Sequence, residues 1–473
     1  MTETTSDKNN RGFTRRSFIA GAATLTAAGA LSGCSATAKG LAPHAADSSK
    51  AGTEEILSGA CRSQCIQGCY LNVHVRDGQI VRTTAGRIEE EPFFEHICPK
   101  GLSHPARVYS AGRLQYPMRR VGERGAGEFE RISWDEAIKE IAEKWKNYRE
   151  EFGPESIAFF MGSGNTAVLG GGTADGSVMQ HLQTVMGACS VLPDRDIAFQ
   201  SAMSKMFGPG GAFVSPKEWS GANHIVNPAV SCKRMMHLYL DAKEAGAQLT
   251  TIDIQYNTNV AKSDWYVPVY PATDGALVFG ILSEVIAQGW QDSEFLRAHT
   301  EAPFLVKEDN TFLRMSDLGV PGTEGPVNAM TGKPTVIDPE VVWDEATRSA
   351  KPYSEAEMPA LEGIPEEIEG FRIRPVWSMI LEAISAWTPE RASETCGVPV
   401  EDIKRLARMY GQEGPVLTGM NQGLNHYFNA IYTYDSIFTL LLITGNIGKP
   451  SAGVISGGGS FGISNSKGCI NQP

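Results

Sequence analysis

The stretch that decides the fold is "HIVNPAVSCKRMMHLYLDAKEAGAQLTTIDIQ", residues 224–255. It opens on a short apolar run (224–229) and closes on another (248–255), each of strand length and rich in β-branched residues. Between them, residues 232–246 read as a helix stopped by Gly246, since glycine accepts the left-handed backbone at a helix end without a steric cost. Strand, helix and strand with a glycine stop is the βαβ unit of a doubly wound parallel sheet.

Neighbouring segments extend the pattern. "SIAFFMGSGN" (156–165) and "GPVLTGMNQG" (414–423) are apolar strands running into glycine-rich turns, and "DGALVFGILSEVIAQG" (274–289) is a further helix. "RISWDEAIKEIAEKWKNYREEFG" (131–153) is an amphipathic helix, with Ser133 as its N-cap, Glu136 completing a capping box and Gly153 as its stop. The predicted fold class is α/β. Such sheets bind ligands beyond the carboxyl ends of their strands, where the loops here hold Gly162-Ser163-Gly164-Asn165, Asn227-Pro228, Asp253 and Thr273-Asp274. No strand is followed by GxGxxG and there is no P-loop lysine, so a plain NAD or ATP site has no support. An acidic residue at a strand end suits a ribose hydroxyl or a guanine edge. Asp253 and Asp274 serve equally well as helix-cap or turn residues.

Upstream, "CRSQCIQGCY" places Cys61, Cys65 and Cys69 on a four-residue step, and Cys98 follows in "ICPKG". Three closely spaced thiolates and a distant fourth suit a [4Fe–4S] cube, which takes four soft anionic ligands from different directions. Gly68 and the lack of apolar periodicity favour a loop over a helix. Structural zinc is the rival, although paired Cys-x2-Cys knuckles are absent; disulfides are the other alternative. His96 is a further potential ligand, with a surface histidine as its plainer reading. "LNVHVRDGQIVRTT" (71–84) alternates about an Asp77-Gly78 turn and predicts a β-hairpin beside the cysteines.

The chain is 473 residues long with a formal net charge of −12, which argues against nucleic acid as a partner, because phosphate binding needs a basic surface. Its length predicts two to four domains. The N-terminus, "RGFTRRSFIAGAATLTAAGALSGCSATA" (11–38), pairs Arg15 with Arg16 ahead of an apolar run too short to span a bilayer comfortably. It resembles a twin-arginine export signal, and the residues before Cys34 resemble a lipoprotein cleavage box. Residues 1–45 are therefore set apart as a signal peptide, cleaved after residues 36–38 or acylated at Cys34. Export puts the nine cysteines in a compartment that permits disulfides. Eight remain after Cys34, four of them between Cys61 and Cys98.

Taken in order, "CRSQCIQGC", "CPKG", "RLQYPMRRVGERGAGEFERISWDEAI", "ANHIVNPAVS", "DAKEAGAQLTTIDIQYNTNVAKSDWYVPVYPATDGAL" and "LLITGNIGKPSAG" resemble the molybdopterin oxidoreductases of the dimethyl sulfoxide reductase family. The resemblance implies a small iron–sulfur domain (54–110) joined to doubly wound pterin-binding domains. It assigns 111–190 and 410–473 to the first of these, which would be incomplete, and 191–409 to the second. It implies a [4Fe–4S] cluster on Cys61, Cys65, Cys69 and Cys98, and molybdenum or tungsten held by bis(molybdopterin guanine dinucleotide). Lys100 matches the lysine between cluster and pterin, and Asn227, Asp253 and Asp274 match residues around the pterin nucleotides. "IDIQ" lacks the Pro-Arg that often follows Asp253 in the family, which puts a phosphate contact there in doubt. Position also points to Asp196 as the metal's protein ligand, with Asp194 its close rival and Cys189 or Ser190 weaker ones. A carboxylate is a hard oxygen donor suited to high-valent molybdenum. His181 and His237 are candidate proton donors, with a core histidine the plainer role for each.

Family catalytic subunits continue beyond "TGNIGKPSAG" into a further domain. The chain is accordingly expected to be an exported subunit reducing a small molecule, completed by a second polypeptide and served by a ferredoxin-like subunit and a membrane anchor. The alternative is a truncated, non-catalytic remnant that keeps the iron–sulfur domain as an electron-transfer or scaffold protein.

Overall fold

The computed structural model describes residues 53–61, 69–87, 89, 95–160, 178–191, 198–208, 213–228, 236–328, 332–420 and 422–456. The expected signal peptide (1–45) with Cys34, and Cys65, residues 162–165, Asp194, Asp196, Cys232 and Cys469, lie outside them. Residues from Glu55 onward form one unit, separate from Met1–Glu54.

The unit begins with a three-stranded antiparallel sheet, β1 (Glu55–Ala60), β2 (Tyr70–Arg76) and β3 (Gln79–Ala85), in that spatial order. The β2–β3 connection is the Asp77-Gly78 turn read from the sequence. Both residues have positive φ (51° and 74°), the geometry that matches the twist of a tight hairpin. Two short helices follow, α1 (Pro99–Leu102) and α2 (His104–Val108), then a hairpin of β4 (Met118–Arg120) and β5 (Phe129–Arg131).

The helix α3 (Trp134–Phe152) carries the expected capping box: Ser133 N donates to Glu136 Oε2 at 2.7 Å, and Glu136 N donates to Ser133 Oγ at 3.1 Å. Its apolar positions 134, 138, 141, 145, 148 and 152 follow a 4-3-4-3-4 spacing that lines one stripe. Trp145 meets Phe159 edge to face at 5.7 Å, and Tyr148 meets Phe152 within the stripe at 6.5 Å. Trp134, Ile138 and Phe152 are exposed. A two-stranded parallel sheet, β6 (Ala158–Phe160) with β7 (Cys189–Val191), flanks α4 (Val178–Met186). Ile157, Phe159 and Met186 form a small core there.

After α5 (Ala198–Phe207) the chain builds its main sheet from β8 (His224–Pro228), β9 (Gln248–Asp253) and β10 (Trp265–Pro268), with α6 (Met236–Glu244) crossing between β8 and β9. The helix α7 (Asp274–Ala287) follows, then α8 (Ser293–His299). An irregular region intervenes, made of β11 (Leu305–Lys307), the hairpins β12–β13 (Thr323–Val327, Pro334–Ile337) and β14–β15 (Val341–Asp344, Ser349–Pro352), and β16 (Glu367–Ile368) with β17 (Phe371–Pro375). Fully buried Asp344 anchors it, accepting from Lys351 Nζ and Met358 N, both at 2.9 Å. The chain then runs through α9 (Val376–Ser385), α10 (Pro389–Cys396), α11 (Val400–Gln412), β18 (Val416–Met420), α12 (Ala430–Ile443) and β19 (Gly453–Ser456).

The main sheet has the order β10-β9-β8-β18-β19, every pair parallel. Its side chains alternate between two cores. Ile225, Leu249, Leu417 and Ile455 join Trp219, Leu238 and Tyr239 on one face. Val226, Ile252, Val416 and Val454 join α7 and α12 on the other. A strand covered on both faces reads as a near-continuous apolar run, which is why these strands stand out in the sequence. One relationship departs from the expected partition. Residues 410–473 were assigned with 111–190, yet β18 pairs with β8, Leu417 opposite Ile225. Val416, Leu417 and Thr418 are buried between the two cores.

Candidate functional site

Two groups of residues carry the chemistry. The first surrounds the cysteines. Cys61 follows β1 and Cys69 precedes β2; Cys61 N donates to Cys69 O at 2.7 Å, so both ends of the intervening loop sit at one edge of the small sheet. Both are buried. Cys98 is the residue before α1, and its carbonyl accepts from Gly101 N at 2.9 Å and Leu102 N at 3.2 Å. A Cβ on Gly101 would collide with Ile97, so the glycine lets Ile97 pack against the Cys98 turn, and the position lies 3.7 Å from Cys61 Sγ. Thr83 Oγ1 holds that turn through Gly101 O at 2.7 Å. Lys100 lies on it, half-buried. His104, which the sequence did not single out, places Nε2 3.3 Å from Cys61 Sγ. None of the described cysteines forms a disulfide.

The second group lines the carboxyl edge of the main sheet. Asn227, near the end of β8, is buried, and its Oδ1 has no hydrogen-bond partner among the described residues. Gly419 on β18 is its neighbour, and a Cβ there would collide with that oxygen. Asp253 ends β9 with its carboxylate turned into its own loop, accepting from Gln255 N at 3.3 Å and Asn257 Nδ2 at 2.7 Å. Asp274 opens α7, buried; burial pushes its carboxyl up to about 6, and the charge of Asp253 adds to the shift. Exposed aromatic rings stand around this edge: Tyr256 after β9, and Phe428 and Tyr432 after β18. Sequence reading passed over them, although large aromatics just beyond strand ends are a usable signal for a ligand edge.

The two groups meet at α6, whose N-terminus lies at the carboxyl end of β8. His237 on its first turn stacks on His96, ring centroids 3.8 Å apart and planes 29° apart. His96 therefore packs against α6, and His181 falls on α4. Among the described residues no three His, Cys, Asp or Glu side chains gather as a metal site.

A molybdopterin oxidoreductase iron–sulfur (Fe4S4) domain profile matches residues 56–110, and a molybdopterin oxidoreductase profile matches residues 113–465. The chain belongs to the molybdopterin oxidoreductase family. Its relatives include the dimethylsulfide dehydrogenase subunit alpha of Rhodovulum sulfidophilum, 27% identical over 81% of this chain and 43% of the relative. The perchlorate reductase subunit alpha of Dechloromonas aromatica is 27% identical over 84% of this chain and 46% of the relative. Dimethyl sulfoxide reductase DmsA of Escherichia coli is 27% identical over 88% and 46%. Acetylene hydratase from Pelobacter acetylenicus shares the fold, with a TM-score of 0.54 at 18% identity, covering 82% of this chain and 43% of that one. The chain thus spans about half the length of the curated relatives it matches.

The two matched domains indicate a [4Fe–4S] cluster and a molybdenum–molybdopterin cofactor. The residues present fit both. Cys61, Cys69 and Cys98 are disulfide-free thiols, soft donors of the kind iron takes. The buried Asn227 oxygen with no partner of its own among the described residues, and the Asp274 carboxyl, are suited to the N–H groups of a pterin or purine edge.

Proposed function

We propose that this chain is an exported molybdopterin-dependent oxidoreductase subunit that delivers two electrons to a small molecule, removing oxygen or hydroxyl, with electrons relayed through the [4Fe–4S] cluster. The observation that carries the reading is the His96–His237 stack, which ties the Cys98 segment to the helix that starts at the sheet's ligand-binding edge. The bound pterin and its metal supply the two-electron redox chemistry and the cluster the one-electron steps.

The chain's own residues bind and orient. Cys61, Cys65, Cys69 and Cys98 hold the cluster, and Lys100 sets a cation between cluster and pterin. Asn227 and Asp274 receive the polar edges of the nucleotides, with Asp274 able to donate a hydrogen bond while it keeps its proton. Asp253, its carboxylate already engaged by Gln255 and Asn257, shapes the loop beside them. Asp196 gives the molybdenum or tungsten a carboxylate oxygen, with Asp194 as the rival. The paired arginines Arg15 and Arg16 support twin-arginine export to the outer face of the cytoplasmic membrane or the periplasm. Relatives designated "subunit alpha" support assembly with other subunits, here an electron-carrying ferredoxin-like subunit and a membrane anchor.

A second reading is a non-catalytic iron–sulfur electron-transfer or scaffold protein, supported by the iron–sulfur domain match over residues 56–110. Metal analysis of the purified protein separates the two. Cluster iron with stoichiometric molybdenum or tungsten supports the enzyme; cluster iron alone overturns it in favour of the scaffold.

A further inference from the structure

The contact between His104 and Cys61 has no role in the scheme above, yet it sits on the electron path. His104 opens α2, directly after the Cys98 turn, and its Nε2 lies 3.3 Å from Cys61 Sγ, within range of a hydrogen bond to sulfur. The turn before it is braced by two hydrogen bonds: Thr83 Oγ1 donates to Gly101 O at 2.7 Å, and Ser103 Oγ donates to Lys100 O at 2.9 Å. A metal-bound cysteine is a thiolate, an acceptor with no proton to give, so the nitrogen facing it must carry the N–H.

We infer that His104 is the hydrogen-bond donor that sets the reduction potential of the iron–sulfur cluster through Cys61. The physical reason is charge. Reduction adds one electron to the cluster, and part of that charge resides on the cysteine sulfurs. An N–H aimed at Sγ stabilises the reduced form more than the oxidised form, so the donor raises the potential. His104 touches neither substrate nor pterin and is a positioning residue acting through Cys61. The inference rests on Cys61 being a cluster ligand.

The test is a redox titration of the purified, iron-loaded protein followed by electron paramagnetic resonance. Replacing the donor by an apolar side chain of similar bulk, His104→Leu, should lower the cluster's reduction equilibrium constant about tenfold, or ~59 mV for a one-electron couple. His104→Gln, which keeps an N–H, should recover most of that difference. An unchanged potential in His104→Leu with full iron overturns the inference. If His104→Leu fails to retain its cluster, the wild-type protein labelled with 15N-histidine decides. A weak nitrogen hyperfine coupling to the reduced cluster, lost in His104→Gln, supports the hydrogen bond. No coupling, or the strong coupling of a directly bound nitrogen, overturns it. Wild-type protein without cluster iron would instead sink the ligand assignment of Cys61.

Discussion

His96 lies flat against His237, ring centroids 3.8 Å apart, and this stack joins the segment leading into Cys98 to the first turn of α6. Stacked ring pairs contribute about 1 kcal/mol beyond their buried area. His237→Ala should therefore raise the opening of the 95–101 segment about fivefold. Hydrogen exchange at Gly101 and Leu102, whose amides bond Cys98 O, measures it. Unchanged exchange there would show that the segment is held by the Cys98 turn alone.

Asp274 makes the cofactor-free protein's stability depend on pH. Its folded value, about 6, lies above the ordinary 3.8, chiefly because burial disfavours the charge. The folded state thus holds a proton that the unfolded state has released. Stability is fully present below about pH 4 and falls as pH rises to about 6. Asp274→Asn removes that loss, so the variant should gain on the order of 3 kcal/mol over wild type at pH 7 and almost nothing at pH 4. Urea unfolding at the two pH values checks it; an equal gain at both would refute the titration.

His224 has the opposite sign. Burial lowers it, outweighing the opposing carboxylate of Glu413 at 3.2 Å. The unfolded chain takes up a proton first, so stability is present above about pH 6.5 and is lost as pH falls. His224→Gln should flatten the acid side of the stability profile while leaving pH 8 nearly unchanged; a slope equal to wild type would discount the group.

Gly419→Ala places a methyl against the buried Asn227 oxygen. Overpacking of this kind costs about 1–3 kcal/mol, and it displaces the oxygen that, on the proposed function, meets the pterin. Both the urea midpoint and the molybdenum content should fall. Full molybdenum content in a folded Gly419→Ala protein would remove Asn227 from the site.

Asp196→Ala should abolish activity and alter the metal's paramagnetic signal while the cluster's signal persists. An unchanged metal signal would move the ligand to Asp194.

The sequence alone determined the elements whose causes are local. The Ser133–Glu136 capping box, the Asp77-Gly78 turn and the doubly covered strands β8 and β9 each depend on near neighbours or on a short unbroken apolar run, so they read directly from residue order. The cysteine spacing likewise announced an iron–sulfur loop. Tertiary structure decided what depends on distant pairs. Val416–Thr418 looked like part of the first α/β region, and only pairing with His224–Val226, across a long stretch of chain, assigned β18 to the main sheet. His104 was an unremarked histidine until the fold of the Cys98 turn brought it onto Cys61. Asp274 read from the sequence as either a helix cap or a ligand residue, and only its burial in the fold, with Asp253 adding, raised its proton affinity. Periodicity and capping are short-range and leave their mark on the sequence; burial, register and contact are properties of the folded chain.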